Sequence, residues 1–180
     1  MKIVALEAAN LDQIPCNFLP ERPGSCRACL YWESPRAFLE GAGADGVSDK
    51  RGWFAQVLKE FGPCGKLAYE GKELVGWGRY APAIFFEEAF AYYKYPVVPY
   101  PDIPFLACLL VAPHKRGQGI GSALLEAICA ELKARRHNGV ETVVRRGTAD
   151  NPSGSLEFYL HRNFFIRRDD PVFPLLRRQL

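Results

Sequence analysis

The stretch Val111-Ala112-Pro113-His114-Lys115-Arg116-Gly117-Gln118-Gly119-Ile120-Gly121-Ser122 decides how the rest of this 180-residue sequence is interpreted. It follows a continuous apolar run, residues 105–111, and precedes branched apolar residues spaced four apart at positions 120, 124, 128 and 132. The run is typical of a strand buried on both faces, and the spacing predicts an amphipathic helix. The glycine-rich stretch therefore connects a buried strand to the first turn of a helix.

The three glycines of this connection alternate with other residues, as Gly117, Gly119 and Gly121. Without side chains there, backbone N–H groups can approach a ligand closely, and the first N–H groups of a helix favour an anion. Lys115 and Arg116 place two cations just before the glycines. The stretch therefore predicts a pyrophosphate site.

Three known motifs compete for this stretch. The P-loop ends in Gly-Lys-Ser/Thr, whereas here Gly121 is followed by Ser122 without a lysine. The dinucleotide fingerprint needs Gly-x-Gly-x-x-Gly, and the glycine spacing here is different. The pattern Arg-x-x-Gly-x-Gly fits Arg116 to Gly121 without adjustment.

That pattern resembles the pyrophosphate loop of the GNAT superfamily of N-acetyltransferases. The resemblance continues in the segment 151–164, where the aromatic pair Phe158-Tyr159 precedes Asn163-Phe164, as in the family's second motif. It covers residues 105–164, and a weaker match in the order of elements extends to the N-terminus.

The resemblance implies an α/β (α+β) GNAT-like fold, with a mixed, mostly antiparallel sheet of about six to seven strands flanked by about four helices. Residues 1–180 would form a single acyltransferase domain. The hydrophobic pattern places strands at 2–6, 66–70, 74–80, 105–111, 140–145, 164–168 and 172–176. It places helices within 34–61 and at 120–136 and 153–162, with a long ordered loop at 81–104.

The resemblance also implies the cosubstrate, acetyl-CoA or another acyl-CoA, and the residues that hold it. The backbone of Leu110 and Val111 would bond to the pantetheine arm, and Asn151 would contact the same arm. Tyr159 would protonate the departing thiolate while an amine attacks the thioester directly. The pyrophosphate would be bound by Lys115, Arg116, Gly117, Gln118, Gly119, Ile120, Gly121 and Ser122.

The attacking amine needs a base, because its ammonium form has no lone pair. Many family members carry a glutamate on the strand before the loop, but residues 105–111 contain none. Glu87, Glu88, Asp102 or a chain of water molecules remain as alternatives. The aromatic segment 85–100 and the region around Trp32-Glu33 are expected to shape the acceptor site.

The acceptor itself stays open among a protein lysine, a polyamine, an aminoglycoside and an amino acid. Relatives often form homodimers, but the sequence specifies no interface. Apolar residues make up 48% and charged residues 24% of the chain, which excludes a disordered, collagen-like or coiled-coil protein. The net charge of +3 is too small to indicate a nucleic-acid partner.

No apolar run exceeds eight residues, so no membrane span is expected. Only residues 3–6 are apolar before Glu7, which is too short for a secretory signal and predicts a cytoplasmic protein.

The six cysteines raise a different possibility. Cys26 and Cys29 have the Cys-x-x-Cys spacing of zinc and redox sites, and Cys16 lies upstream. Plain thiols, a metal site and a redox pair all remain open, although the sequence offers no full set of metal ligands. The alternatives to an enzyme are a non-catalytic acyl-CoA-binding sensor or interaction module, and a metal- or redox-responsive thiol protein that uses these three cysteines.

Overall fold

The computed structural model describes residues 1–15, 18, 26–40, 45–147 and 154–180. Within them, one sheet contains seven strands, β1 Lys2–Ala5, β2 Gly65–Glu70, β3 Glu73–Pro82, β4 Pro104–Val111, β5 Gly139–Val143, β6 Phe165–Arg168 and β7 Leu175–Gln179. Their order is β1-β2-β3-β4-β5-β7-β6. Only the β4–β5 pair is parallel among these strands, which confirms the predicted mixed, mostly antiparallel sheet.

Five α-helices accompany the sheet in the described part of the chain: α1 Pro35–Leu39, α2 Asp45–Glu60, α3 Glu87–Tyr92, α4 Ile120–Ala134 and α5 Leu156–Leu160. The long segment 81–104 is more regular than predicted, because it contains a 3₁₀ helix, Ala83–Phe86, followed directly by α3. The helix predicted at 153–162 is shorter. It begins after Ser155, whose hydroxyl oxygen accepts a hydrogen bond from the Phe158 N–H at 3.2 Å.

Two glycines in β3 allow α4 to lie directly on the sheet. A Cβ atom at Gly76 would approach a Leu124 methyl carbon to 2.8 Å, and one at Gly78 would approach an Ile128 methyl carbon to 2.8 Å. A side chain at either position would force these methyl groups to shift, so glycine at both positions lets the helix pack closely on the sheet. Leu124 and Ile128 are fully buried by it. This packing fixes the N-terminus of α4 next to the end of β4.

A β-bulge interrupts β4 at the centre of the sheet. Arg79 of β3 is paired with Cys108 and Tyr80 with Leu106, which leaves Ala107 as the extra residue of β4. On the other side of β4, the parallel ladder with β5 has one paired position, Phe105 with Glu141. The two strands therefore separate towards their carboxyl ends, and β5 does not pair with the last residues of β4.

The face of the sheet opposite α4 is covered by aromatic side chains. Trp32 lies 5.0 Å from Phe105 between ring centroids and is stacked on Tyr95, while Phe86 and Phe90 also contact Phe105. Trp32, Phe86 and Phe90 are buried, so these members of the predicted acceptor region are core residues in the free chain. Among the described residues, no helix combines the length and apolar character needed to cross a bilayer.

Candidate active site

The connection between β4 and α4 has the conformation that its glycines predict. Gly117 and Gly119 have φ angles of 77° and 83°, in the left-handed region that glycine tolerates best. The first helical hydrogen bond runs from the Ala123 N–H to the Gly119 carbonyl oxygen at 3.0 Å. The N–H groups of Ile120, Gly121 and Ser122 therefore have no carbonyl acceptor within α4. They lie at a helix N-terminus beside an exposed loop, an arrangement that favours an anion.

Substitution of Gly119 by alanine tests this backbone conformation. Because its φ is 83°, we expect Gly119→Ala to reduce the free energy of unfolding by about 1–2 kcal/mol. Gly121→Ala is the matched control, since the nearest atoms to its Cβ, on Phe158 and Val111, are at an ordinary 3.6 Å. Urea unfolding measures both variants. Equal stability of the two proteins would contradict the assigned loop conformation.

The two cations predicted to hold the pyrophosphate differ in their surroundings. Lys115 donates a hydrogen bond to Glu70 of β2 at 2.7 Å, and this bond lowers the pKa of the Glu70 carboxyl and raises that of Lys115. The Lys115 ammonium is therefore already paired with a carboxylate of β2 in the free chain. Arg116 is exposed, and its Nε lies 3.5 Å from the Val111 carbonyl oxygen. A pyrophosphate role for Lys115 and Arg116 stays a prediction.

A third cation reaches the start of α4, and the sequence analysis did not identify it. Arg162 donates from Nε and Nη2 to the Ser122 hydroxyl oxygen, at 3.0 and 2.6 Å. Its guanidinium carbon lies 3.9 Å from the centroid of the Phe158 ring. The signal available in the sequence was a cation four residues after Phe158, one helical turn further along the second motif.

The gap between β4 and β5 offers a path from this loop into the sheet. Leu110 and Val111 are paired with β3 on one side of β4, opposite Trp77 and Gly76. β5 is not paired with them on the other side. Their backbone groups on that edge suit an extended chain that carries its own amide groups. This is the position that the sequence predicts for the pantetheine arm.

The hydroxyl of Tyr159 lies where the two strands begin to separate. Thr142 of β5 donates to the Leu106 carbonyl oxygen of β4 at 2.9 Å, and its side chain also hydrogen-bonds with Tyr159. Tyr159 is fully buried, and burial raises the pKa of its phenol well above the ordinary value, opposed by the bond with Thr142. The phenol therefore keeps its proton at neutral and moderately alkaline pH.

The residues proposed as the base lie elsewhere. Glu87 and Glu88 are exposed in the first turn of α3, and Asp102 is exposed just before β4. Asn151, the other predicted contact of the pantetheine arm, lies outside the described residues. The roles of these four residues stay predictions.

A buried ionic cluster lies beside the β4 bulge, where Arg79 of β3 is paired with Cys108. Glu33, with its side chain 3% exposed, forms ion pairs with Lys50 and Arg79, which are 2% and 0% exposed. Arg79 also donates from Nη2 to the Cys108 sulfur at 3.4 Å, and Lys50 donates to the Cys29 carbonyl oxygen. The region around Glu33 was expected to shape the acceptor site, whereas the Glu33 carboxylate forms ion pairs with two cations of the chain itself.

The cysteines show no sign of a metal centre in the described part of the chain. No group of three or more histidine, cysteine, aspartate or glutamate side chains there could hold a metal ion. Cys16 lies outside the described residues. Cys26 and Cys29 are free thiols, and burial raises the pKa of Cys26 to about 12. Cys26 is therefore a protonated thiol at neutral pH.

Comparison with known proteins identifies the family of this chain. The acetyltransferase (GNAT) family model matches residues 28–164. The chain belongs to the GNAT acetyltransferase family. It is accordingly an acetyltransferase, and acetyl-CoA is its cosubstrate. The free N–H groups and the unpaired edge of β4 fit the pyrophosphate and pantetheine parts of that molecule.

Solved structures show the same fold at low sequence identity. The PaiA N-acetyltransferase of Thermoplasma acidophilum, in complex with coenzyme A, has a TM-score of 0.60 and 14% identity, over 99% of this chain and 98% of that one. The ribosomal-protein-alanine N-acetyltransferase of Brucella melitensis has a TM-score of 0.59 and 17% identity, over 100% of both chains. A search of curated proteins finds no match.

A third structure extends the range of acceptors named for similar folds. The aminoglycoside 6'-acetyltransferase type Ii has a TM-score of 0.58 and 16% identity, over 99% of this chain and 97% of that one. The Brucella melitensis enzyme is named for a protein acceptor, and the 6'-acetyltransferase is named for an aminoglycoside. Likeness at this level shows the GNAT fold and leaves the acceptor to be argued from the chain itself.

Proposed function

We propose that this GNAT acetyltransferase transfers the acetyl group of acetyl-CoA directly to an amine, with Tyr159 as the general acid. The observation that carries the proposal is the position of the Tyr159 hydroxyl at the point where β4 and β5 separate. A thioester placed in that gap has its sulfur next to a protonated phenol. The phenol donates its proton to the thiolate as the carbon–sulfur bond breaks.

Backbone groups of the chain bind acetyl-CoA and stabilise the charge that develops during the reaction. The N–H groups of Ile120, Gly121 and Ser122 bind the pyrophosphate, and the edge of β4 at Leu110 and Val111 orients the pantetheine arm. A backbone N–H near Val111 faces the thioester oxygen, which gains negative charge as the amine attacks. Fixed dipoles of this kind stabilise the developing charge without having to reorient. Positioning of the two reactants supplies the rest of the rate.

The amine loses a proton either to a carboxylate or to water. Glu87, Glu88 and Asp102 are exposed, so in the free chain each carboxylate is hydrated and reaches the acceptor only from the surface side. Exposed carboxylates also attract a cationic amine before it is deprotonated. The proposal therefore assigns them to capture of the amine or to proton transfer through water, and places no base on β4 itself.

Turnover with a panel of amines tests the proposal. The full chain is incubated with acetyl-CoA and with a lysine peptide, a peptide with a free N-terminus, a polyamine, an aminoglycoside or free amino acids. We expect release of CoA thiol and addition of one acetyl group to at least one class, above the rate of hydrolysis without amine. Mass spectrometry of the acceptor identifies the acetylated nitrogen.

Thermal unfolding with acetyl-CoA provides the control for this assay. A ligand at about 100 times its dissociation constant adds about 2.7 kcal/mol, which raises the melting temperature of a chain of this size by roughly 5–10 °C. CoA should act similarly, whereas ATP and NAD should not. A shift with acetyl-CoA but no transfer to any amine would contradict the proposed transfer and favour a non-catalytic acyl-CoA sensor.

A further inference from the structure

Arg162 is a cation held at the positive end of a helix. Its Nε and Nη2 atoms both donate to the hydroxyl oxygen of Ser122, the third residue of α4, and Nη1 donates to the Phe158 carbonyl oxygen at 2.7 Å. A guanidinium has five N–H groups, so one N–H on each Nη nitrogen remains for another acceptor. Because Nη2 lies 2.6 Å from the Ser122 hydroxyl oxygen, the guanidinium lies beside the first turn of α4.

This placement is electrostatically unfavourable for the free chain. The N-terminus of α4 carries the positive end of the helix dipole, where anions are stabilised and cations are not. Across the described residues, no carboxylate forms an ion pair with Arg162. Glu126, on the same helix, accepts from Arg178 with both oxygens at 2.5 and 2.9 Å. Arg178 is the first cause of the lowered pKa of Glu126, and Arg162 contributes least.

The side chain of Arg162 is nevertheless held in one conformation by its contacts. Its guanidinium is stacked on the Phe158 ring, and that ring in turn lies 3.6 Å from the position of a Cβ at Gly121. Three hydrogen bonds and one ring contact restrict its rotation, so little side-chain entropy remains to be lost on binding an anion. A fixed cation, a helix N-terminus and a glycine loop therefore converge on one place.

We propose that Arg162 binds a phosphate group of acetyl-CoA. Its free Nη donors form charge-assisted hydrogen bonds with phosphate oxygens, while the helix N–H groups bind the pyrophosphate. Arg162 supplies a positive charge at the phosphate site, whereas the Lys115 ammonium donates a hydrogen bond to Glu70 in the free chain. The proposal rests on acetyl-CoA as cosubstrate and needs neither an identified acceptor nor the assignment of Tyr159 as the acid.

Binding measurements with truncated ligands test this role. We expect Arg162→Gln to weaken CoA binding about 10- to 100-fold, the usual effect of losing hydrogen bonds to a charged group. Binding of pantetheine, which has no phosphate, should be the same in the variant and the parent chain. Isothermal titration calorimetry gives the affinity for CoA, and displacement of bound CoA gives that for pantetheine.

Dephospho-CoA assigns the phosphate. If the loss in Arg162→Gln persists with dephospho-CoA, the arginine binds the pyrophosphate; if the loss disappears, it binds the 3′-phosphate of the ribose. Arg178→Gln is the matched control, because it removes a second α4-facing arginine whose charge is already balanced by Glu126. We expect Arg178→Gln to bind CoA with the affinity of the parent chain.

Two results would overturn the proposal. An equal loss of affinity for CoA and pantetheine in Arg162→Gln would show that the arginine only supports the packing of α5 on α4. An unchanged affinity for CoA would show that the guanidinium binds no phosphate. Where Arg162→Gln fails to fold, Arg162→Lys keeps the charge but loses the double contact with Ser122, and the same comparison of CoA with pantetheine decides.

Discussion

Replacement of Tyr159 by phenylalanine should reduce kcat about 100-fold or more, while the affinity for acetyl-CoA stays within about twofold of the parent value. The reason is that phenylalanine keeps the ring packed between Phe158 and Phe164 but removes the only proton that the side chain can give to the thiolate. Steady-state rates with the best amine of the panel, together with CoA binding, measure the two quantities separately.

Tyr80→Phe is a closely matched control for this experiment. Tyr80 is also fully buried and also loses a hydroxyl bond, the one that it donates to Glu131 of α4. Both variants should lose about 1 kcal/mol of stability for one hydrogen bond. Only Tyr159→Phe should lose kcat. If the two variants have equal kcat values, Tyr159 is a packing residue and water protonates the thiolate.

The pH dependence of the parent enzyme follows from the same environment. Burial raises the pKa of Tyr159, so the folded protein holds this proton more tightly than a free tyrosine, whose pKa is about 10. The acid form is therefore fully present from neutral pH to about pH 10. We therefore expect that ionisation of Tyr159 does not lower kcat in this range. The contrary result would be a decline in kcat of the parent enzyme that is absent in Tyr159→Phe. Such a decline would mean that the phenol ionises near its ordinary pKa.

The fold was predictable because its main signals are local. The apolar run of β4, the spacing of the α4 residues and the glycines between them each lie within a few residues of one another, and the structure confirms all three. The prediction that the loop binds an anion depends on the same local signals and stays a prediction. The extent of residues 1–180 as one domain, the cytoplasmic location and a homodimer stay predictions.

The contacts that sequence reasoning missed join residues distant in the chain. Arg162 reaches Ser122 across 40 residues, and Lys50 and Arg79 reach Glu33 from α2 and β3. Neither motif spacing nor periodicity reports which charged side chain is buried with which partner. For that reason Glu33 was expected at an acceptor site, although the folded chain surrounds it with its own cations.

The ionic cluster around Glu33 predicts the largest change in stability. Glu33→Gln leaves Lys50 and Arg79 buried without a counter-charge, and loss of one member of a buried ion pair costs about 3–5 kcal/mol. Asp12→Asn is the control, because the Asp12–Arg51 pair is exposed, with side chains 68% and 51% accessible, and should change stability by less than about 1 kcal/mol. Urea unfolding at pH 7 measures both.

The cost of Glu33→Gln should depend on pH in a defined direction. Burial lowers the pKa of Lys50, opposed by the nearby Cys29, Cys108 and Cys26 thiols. A lysine whose pKa is lower in the folded than in the unfolded state destabilises the folded protein when it is protonated. Raising the pH removes the proton from the folded state first, so the free energy of unfolding increases. The increase ends when the unfolded lysine also loses its proton, near its ordinary pKa of 10.5. Without Glu33 the folded pKa falls further. The stability gap between Glu33→Gln and the parent should therefore narrow as the pH rises from 7 towards 10.5, while the Asp12→Asn gap stays constant.

Arg79 also loses its ion pair with Glu33 in this variant, so the gap should narrow without closing. Replacing all three charged residues together, as Glu33→Leu, Lys50→Met and Arg79→Met, separates the charge effect from packing. Buried ion clusters exchanged for apolar residues of similar volume are often neutral or stabilising. We therefore expect the triple variant to be more stable than Glu33→Gln alone. A triple variant less stable than the single one would mean that the contacts of Arg79 with Cys108 and the surrounding rings, and not the balance of charge, hold this part of the core together.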